Sequence, residues 1–508
     1  MRKGFFRVAA LAALTAVIAV PSATTAVGTD STALRNAVTV GAVKAHTAQF
    51  QTFAAASVPA FGHPTRVDGS VGFTSSVAYV ASQMQSSGYD VTVQKFMFDR
   101  FEETADPIFA RTAPSPKPYV EETDFATMEY SGNGDVTAQV VPTNDIVLPS
   151  PGGSTSGCEA SDFPAAVAGK IALIQRGTCT FRQKAENAQA AGAIGVVIFN
   201  EGDTEERSSI LFGTLDPPQM TLPVIGTSTA VGQELLAAGT SVRIRVQAVV
   251  IPTESANVIA DTRSGRTDRT VVVGAHLDSV LDGPGINDNG SGSATILEVA
   301  KQMAALGVKP VNRVRFAWWG GEEFGLLGAE HYVSNLSARE VKDIALNLNF
   351  DMVGSPNFVR FVYDGDGSST GTKGPAGSGN IEQVFLDYFA SQRLPVEATA
   401  FDGRSDYGPF IDRGIPAGGL FTGAEEIKTA AQAAIFGGTA GVALDACYHA
   451  ACDTYPTNLN DTVLDQMSDA TADAVLQFAM TSSAVGGTGK SSAAKEASTE
   501  LQGNSLRK

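Results

Sequence analysis

Residues 270–292 read TVVVGAHLDSVLDGPGINDNGSG, and this stretch decides the fold. Thr270 to Gly274 is a β-branched run of strand type. It leads straight into His276-Leu277-Asp278, and because side chains alternate along a strand, His276 and Asp278 point the same way if the extension continues. Glycines between Gly285 and Gly292 let the next loop fold tightly and bring Asp288 back toward the strand end. Ser293 to Leu306 then reads as a helix with Ile296, Val299, Ala300 and Met303 on one face. Further out, the strand Val314 to Trp319 ends in Gly320-Gly321-Glu322-Glu323, and the strand Ile344 to Phe350 ends in Asp351. This alternation over about 255–483 implies an α/β fold with a mixed, largely parallel central sheet flanked by helices.

Upstream, Val71 to Gly88 reads as a helix and Tyr89 to Phe98 as a strand. Over about 128–250 the composition shifts to Val, Gly, Thr and Pro with short strands such as Lys170 to Gln175 and Ala193 to Asn200. The chain has 508 residues, 43% hydrophobic and 18% charged, which excludes a disordered chain. With 36 basic and 53 acidic residues its net charge is −17, so it is a poor general binder of nucleic acid or anionic membrane. Residues 1–26 combine Arg2, Lys3 and Arg7, an apolar run Val8 to Val20 too short to span a bilayer, and small residues Thr24 and Ala26. That is a secretory signal peptide pattern, so the chain is expected to be secreted and extracellular, without stable membrane insertion. Export permits disulfides. Cys158 with Cys179 and Cys447 with Cys452 are expected to pair locally, four free thiols being the alternative. From 484 to 508 the chain is a Gly/Ser/Lys/Glu tail without periodicity, expected to be flexible or removed.

Only five histidines occur, at 46, 63, 276, 331 and 449. His276, Asp288, Glu322-Glu323 and Asp351 each fall just past a strand's carboxyl end, the edge where open α/β sheets bind ligands, and Tyr448-His449 lies within Cys447–Cys452. Singly these are bland: His-x-Asp is common, Asn287-Asp288-Asn289-Gly290 is an ordinary turn, and paired glutamates often start helices. His331 reads as surface. Jointly they place two imidazoles among four or five carboxylates, which repel unless cations neutralise them. Imidazole plus carboxylate without thiolate suits zinc or a similar divalent metal in a catalytic rather than structural role.

His276-Leu277-Asp278-Ser279, Gly285 to Gly292, Trp319 to Gly328, Asn349 to Gly354 and Cys447-Tyr448-His449 together resemble the co-catalytic di-zinc aminopeptidases, metallopeptidase family twenty-eight, of the secreted bacterial leucine aminopeptidase and aminopeptidase Y type. Gly169 to Phe181, with Lys184-Ala185 and Ala190 to Ala193, resembles a protease-associated domain. The resemblance implies a zinc exopeptidase fold over 27–127 and 251–483, a short propeptide at its start, and the inserted β-rich domain over 128–250. It implies two zinc ions: His276 and Asp351 on one, Glu323 and His449 on the other, Asp288 bridging. It implies Glu322 as general base toward a metal-bridging water, Asp278 orienting His276, and Tyr448 polarising the scissile carbonyl. Arg404 would lie near the substrate's amino end, with Met352 and Phe421 lining an apolar side-chain pocket. Tyr407 departs from the family, where His often follows Ser-Asp. Asn460 to Asp465 is similar to a calcium-binding segment of some relatives, at Asp461 and Asp465; a helix N-cap at Asp461 is the plainer account.

The implied activity is a monomeric aminopeptidase that removes N-terminal, Leu-like residues from peptides or proteins with a free N-terminus. The alternatives are another exported di-zinc exopeptidase, a single-zinc glutaminyl cyclase, or a non-catalytic protease-associated binding protein.

Overall fold

The computed structural model describes residues 29–204 and 206–481. The signal-peptide segment 1–26 and the tail 484–508 lie outside the described residues. Eight strands frame the larger module: β1 (Asp90–Ala113), β2 (Ser241–Asp261), β3 (Arg266–His276), β4 (Asn312–Trp319), β5 (Ile344–Phe350), β6 (Phe361–Tyr363), β7 (Glu397–Thr399) and β8 (Ala417–Phe421). Across the sheet they run β7, β6, β8, β5, β3, β4, β2, with β1 beyond β2. β4, β3, β5 and β8 are mutually parallel, while β2 and β6 enter antiparallel. The mixed, largely parallel sheet expected from the sequence is therefore present.

Its centre is dry. Val271, Val272 and Val273 of β3 are fully buried, and so are Leu346, Leu348 and Phe350 of β5. That is the near-continuous apolar run a parallel strand needs when both faces are covered. Helices α1 (Val71–Ser86), α2 (Gly290–Ala305), α3 (Ser378–Gln392) and α4 (Asp461–Met480) pack their apolar faces on this sheet and on one another. α2 starts three residues before the sequence reading. Asn289 caps it by accepting from the Gly292 amide at 2.9 Å. The helix also packs so tightly on β5 that a Cβ on Gly292 would meet the Phe350 carbonyl oxygen at 2.0 Å. Glycine is thus required there for the close approach, not for turning.

β1 is longer than the Tyr89–Phe98 strand read from the sequence. Pairing with β2 continues from Asp90 opposite Asp261 to Ala113 opposite Ser241, through register shifts after Glu103, Ala105 and Arg111. Apolar alternation fails at Glu102-Glu103 and Pro107, but cross-strand hydrogen bonds, which no single-strand pattern reveals, carry the ladder onward. The far end of this ribbon enters the inserted module. There β2 pairs with Gly134–Pro142, followed by Ile171–Gln175, Gly195–Phe199 and Val224–Thr227 in parallel order. The insert has its own apolar clusters, around Ile174 and Phe181 and around Val197 and Val242. Both expected disulfides are formed, Cys158–Cys179 and Cys447–Cys452. Among the described residues no helix is long and apolar enough to cross a membrane.

Leu348→Ala, at a fully buried β5 position, should lower stability by about 2–5 kcal/mol. Met97→Ala, 62% exposed on the ribbon, should stay within about 0.5 kcal/mol. Urea midpoints of the two variants measure the difference.

Candidate active site

Three strand ends and two loops, one of them closed by a disulfide, converge at the carboxyl edge of the sheet. β3 delivers His276, β4 runs into Glu322-Glu323, β5 into Asp351, the β3–α2 loop brings Asp288, and the Cys447–Cys452 loop brings His449. Asp288 sits between the imidazoles: its Oδ1 is 3.1 Å from His276 Nε2 and its Oδ2 is 3.2 Å from His449 Nε2. Asp351 Oδ1 lies 3.3 Å and Glu322 Oε2 3.9 Å from His276 Nε2, while Glu323 Oε2 lies 3.0 Å from His449 Nε2. Asp278 Oδ1 is 3.5 Å from His276 Nδ1. The sequence-predicted residues are thus assembled in one place, with one carboxylate facing both histidines. His331 stands apart, stacked on Phe96 at 4.9 Å.

The electrostatics of these side chains is that of a cation site. Burial, together with Asp406, Asp351 and Glu323, pushes the Glu322 carboxyl well above the ordinary range against the pull of His276. Burial disfavours charge on His449, yet Glu323 and Asp288 outweigh it and lift the imidazole to about 10. Oε1 of Glu323 is buried without a hydrogen-bond partner, and Oε2 of Glu323 and Oδ1 of Asp351 have only the imidazoles of His449 and His276 near them. Orphaned carboxylate oxygens of this kind are costly. Ligand atoms of His276, Asp288 and Glu323, and of His276, Glu322 and Asp351, lie within 4.8 Å of one another. Orphaned oxygens, imidazoles without thiolates and this spacing fit zinc.

A second layer fixes the first, and the sequence reading missed most of it. Ser405 Oγ donates to Asp351 Oδ2 at 2.6 Å, leaving Oδ1 free. Asp278 Oδ2 accepts the Glu323 amide at 3.2 Å. Behind it, burial and the neighbouring Asp278 hold the fully buried Asp68 carboxyl well above its ordinary range. Asp68 also accepts the Gly321 amide at 2.9 Å. Arg66, fully buried, donates to the carbonyls of Leu277, Pro284 and Gly285 and so clamps both ends of the loop carrying Asp288. Asp453 accepts the amides of Asn287 and Asp288 at 2.8 and 3.0 Å, and Asn458 bridges Asp453 to Asp445. This network joins the Asp288 loop to the His449 loop. Asp453, next to Cys452, was the one of these residues adjacent to a quoted motif; Arg66 and Asp68 carried no local signal.

This cluster forms one side of a cleft open to solvent. Met352, Phe421 and Arg404, the three expected substrate contacts, all line it, with Tyr363, Ala424, Asp402, Glu426 and Tyr448. Arg404 pairs with Glu425 at 2.8 Å and donates to the Tyr448 hydroxyl at 3.3 Å. Met352 and His449 both hold left-handed backbone, φ 50° and 54°, a conformation costing about 1–3 kcal/mol that concentrates at functional sites. Tyr407 is buried instead, its hydroxyl donating to Asp402 at 2.6 Å and accepting the Asp402 and Gly403 amides. At the calcium segment, Asn460 rather than Asp461 caps α4, accepting from Thr462 and Val463, and Asp461 pairs with Lys44 at 2.7 Å.

A sequence model of peptidase family M28 matches residues 257–475, and one of the PA domain matches 136–235. An aminopeptidase of Pseudomonas aeruginosa (strain UCBPP-PA14) is 49% identical over 408 residues, covering 79% of this chain and 74% of the relative. The chain belongs to peptidase family M28. As an M28 chain it is a zinc metallo-aminopeptidase with a PA domain, acting on peptides. A probable leucine aminopeptidase 2 of Aspergillus fumigatus is 42% identical over 428 residues, 83% of this chain and 81% of the relative. Among solved structures, an aminopeptidase from Aneurinibacillus sp. strain AM-1 superposes with TM-score 0.68 at 27% identity, covering 90% of this chain and 98% of that one. A zinc aminopeptidase from Bacillus subtilis gives 0.56 at 25%, covering 88% and 98%.

Asp453→Asn keeps the side-chain size but weakens the hold on the Asp288 amide. It should cost about 10–100-fold in zinc affinity, measured by competition with a chromogenic chelator, with circular dichroism unchanged.

Proposed function

We propose that this M28 chain holds two zinc ions and removes apolar, Leu-like N-terminal residues outside the cell. The observation that carries the two-metal reading is Asp288, whose two oxygens each face a different histidine. His276 and Asp351 would hold one ion, Glu323 and His449 the other, with Asp288 shared. When bound, zinc supplies a Lewis acid and lowers the pKa of a water it holds to about 7.

The remaining work falls to the chain. Glu322 lies against the cluster yet is assigned to neither ion, so its carboxylate takes the proton of the attacking water and passes it to the leaving amine. Burial, with Asp288 and Glu323 nearby and Arg404 opposing, holds the Tyr448 phenol well above its usual range, so it stays protonated. Because its oxygen already accepts from Arg404, the phenol proton is left to donate to the developing oxyanion. Asp278 keeps His276 in place from its Nδ1 side. Met352, Phe421 and Tyr363 give the cleft an apolar wall for the first side chain, and acidic Asp402 and Glu426 suit a free ammonium. Arg404 steadies Tyr448 near that amino end. Asp461 enters as a helix-start acid rather than a calcium ligand, given the Lys44 pair and the Asn460 cap. The disulfides accord with export.

Glu322→Ala should retain zinc by elemental analysis while kcat on a leucyl anilide falls by about 10²–10⁴; undiminished turnover would remove Glu322 from its role. Wild type should spare the N-acetylated anilide, and equal cleavage of both forms would contradict recognition of the free amine.

A further inference from the structure

Away from the zinc cluster, the chain leaves β6 into Asp364-Gly365-Asp366-Gly367-Ser368-Ser369-Thr370. Ligand atoms of Asp364, Asp366 and Glu382, the last from α3, lie within 4.8 Å of one another. Three carboxylates alone would mean little on a chain this acidic. The deciding observation is Asp364. Its side chain is fully buried, and its Oδ1 has no hydrogen-bond partner. Its other oxygen is saturated, accepting the Ser369 and Thr370 amides at 2.9 and 2.6 Å and the Thr370 hydroxyl at 2.9 Å. Burial works against charge on Asp364, but these donors outweigh it and hold the carboxyl below its usual range, so it stays ionised. A buried, ionised carboxylate with one bare oxygen is costly unless a cation meets it. Glu382 is raised by burial and by Asp366 and Asp364, the strain a bound cation relieves. The loop's own cation, Lys373, is exposed.

We propose that Asp364, Asp366 and Glu382 form a calcium site distinct from the zinc centre. The donors are all oxygen, without imidazole or thiolate, which selects a hard cation. Calcium accepts irregular shells of about six to eight oxygens that waters and loop carbonyls can complete, whereas magnesium demands near-octahedral geometry. The site has a consequence for the cleft. Tyr363, directly before Asp364, lines it, and the Asp364 amide bonds the Thr399 carbonyl at 2.8 Å, next to Ala400 on the same wall. The loop also presses on Phe401, which a Cβ at Gly374 would meet at 3.0 Å. Calcium here pins the wall that receives the substrate's first side chain.

The test titrates calcium chloride into the zinc-loaded full chain, freed of calcium on a chelating resin, and follows heat and thermal midpoint. The expected result is one calcium per chain with Kd of about 10⁻⁴–10⁻³ M, the range of extracellular modules, an upward midpoint shift, and a smaller shift with magnesium. Asp366→Asn with Glu382→Gln should weaken calcium binding at least tenfold, with zinc content and leucyl-anilide turnover in calcium-free buffer retained. Asp366→Asn alone, altering an exposed side chain, carries the same test if the double variant does not fold. No calcium response in wild type up to about 10 mM, an equal magnesium response, or wild-type calcium binding in the variants each overturns the assignment.

Discussion

Like charges packed at the edge of a dry sheet are the constraint on which the rest depends. Three strand ends and two loops push Asp288, Glu322, Glu323 and Asp351 against two imidazoles, most of them largely buried at the floor of the cleft. Such carboxylates cannot all ionise together unless cations lie among them. The surrounding polypeptide resists the simplest escape, which is to spread apart. Arg66 clamps the Asp288 loop, Asp453 grips its amides, Ser405 occupies one oxygen of Asp351, and Asp68 holds the Gly321 amide beside Asp278. The repulsion is thereby stored as affinity for metal.

On the proposed two-zinc reading, the same arrangement gives the carboxylates different roles. Asp351 has one oxygen bound by Ser405 and one bare. Glu323 has Oε2 against His449 and Oε1 bare. Asp288 faces both histidines. Glu322 lies farther from His276 than its neighbours and opens onto the cleft, the position a proton carrier needs. Tyr448, stacked on His449 at 3.8 Å and braced by Arg404, is held over the same space. The inserted module hangs from the long ribbon of β1 and β2, so it is covalently and hydrogen-bond continuous with the peptidase sheet at β2 while keeping cores of its own.

Much of this was legible in the sequence because the chemistry is encoded next to its scaffold. Each ligand on β3, β4 and β5 follows an apolar run whose length and β-branching announce a buried strand, so position and residue type are read together. His449 was legible through its small disulfide loop, and Met352, Phe421 and Arg404 through resemblance, each then found on the cleft wall. What was not legible depends on contacts far apart in the chain. Arg66 meets carbonyls more than 200 residues away, Asp68 does the same at Gly321, and Asp453 acts on amides 165 residues upstream; no local pattern marks a buried charge whose partners are backbone atoms. β1 exceeded its reading for a related reason, since bulged pairing with β2 replaces the lost alternation. Tyr407, a departure from the family at a sensitive position, proved to be a core residue that holds the Asp402 turn.

Anomalous scattering at the zinc edge from crystals of the purified protein addresses the central claim most directly. Two peaks of comparable height are expected flanking Asp288, one against His276 and Asp351 and the other against Glu323 and His449. A single peak, or metal that does not touch Asp288, would contradict it.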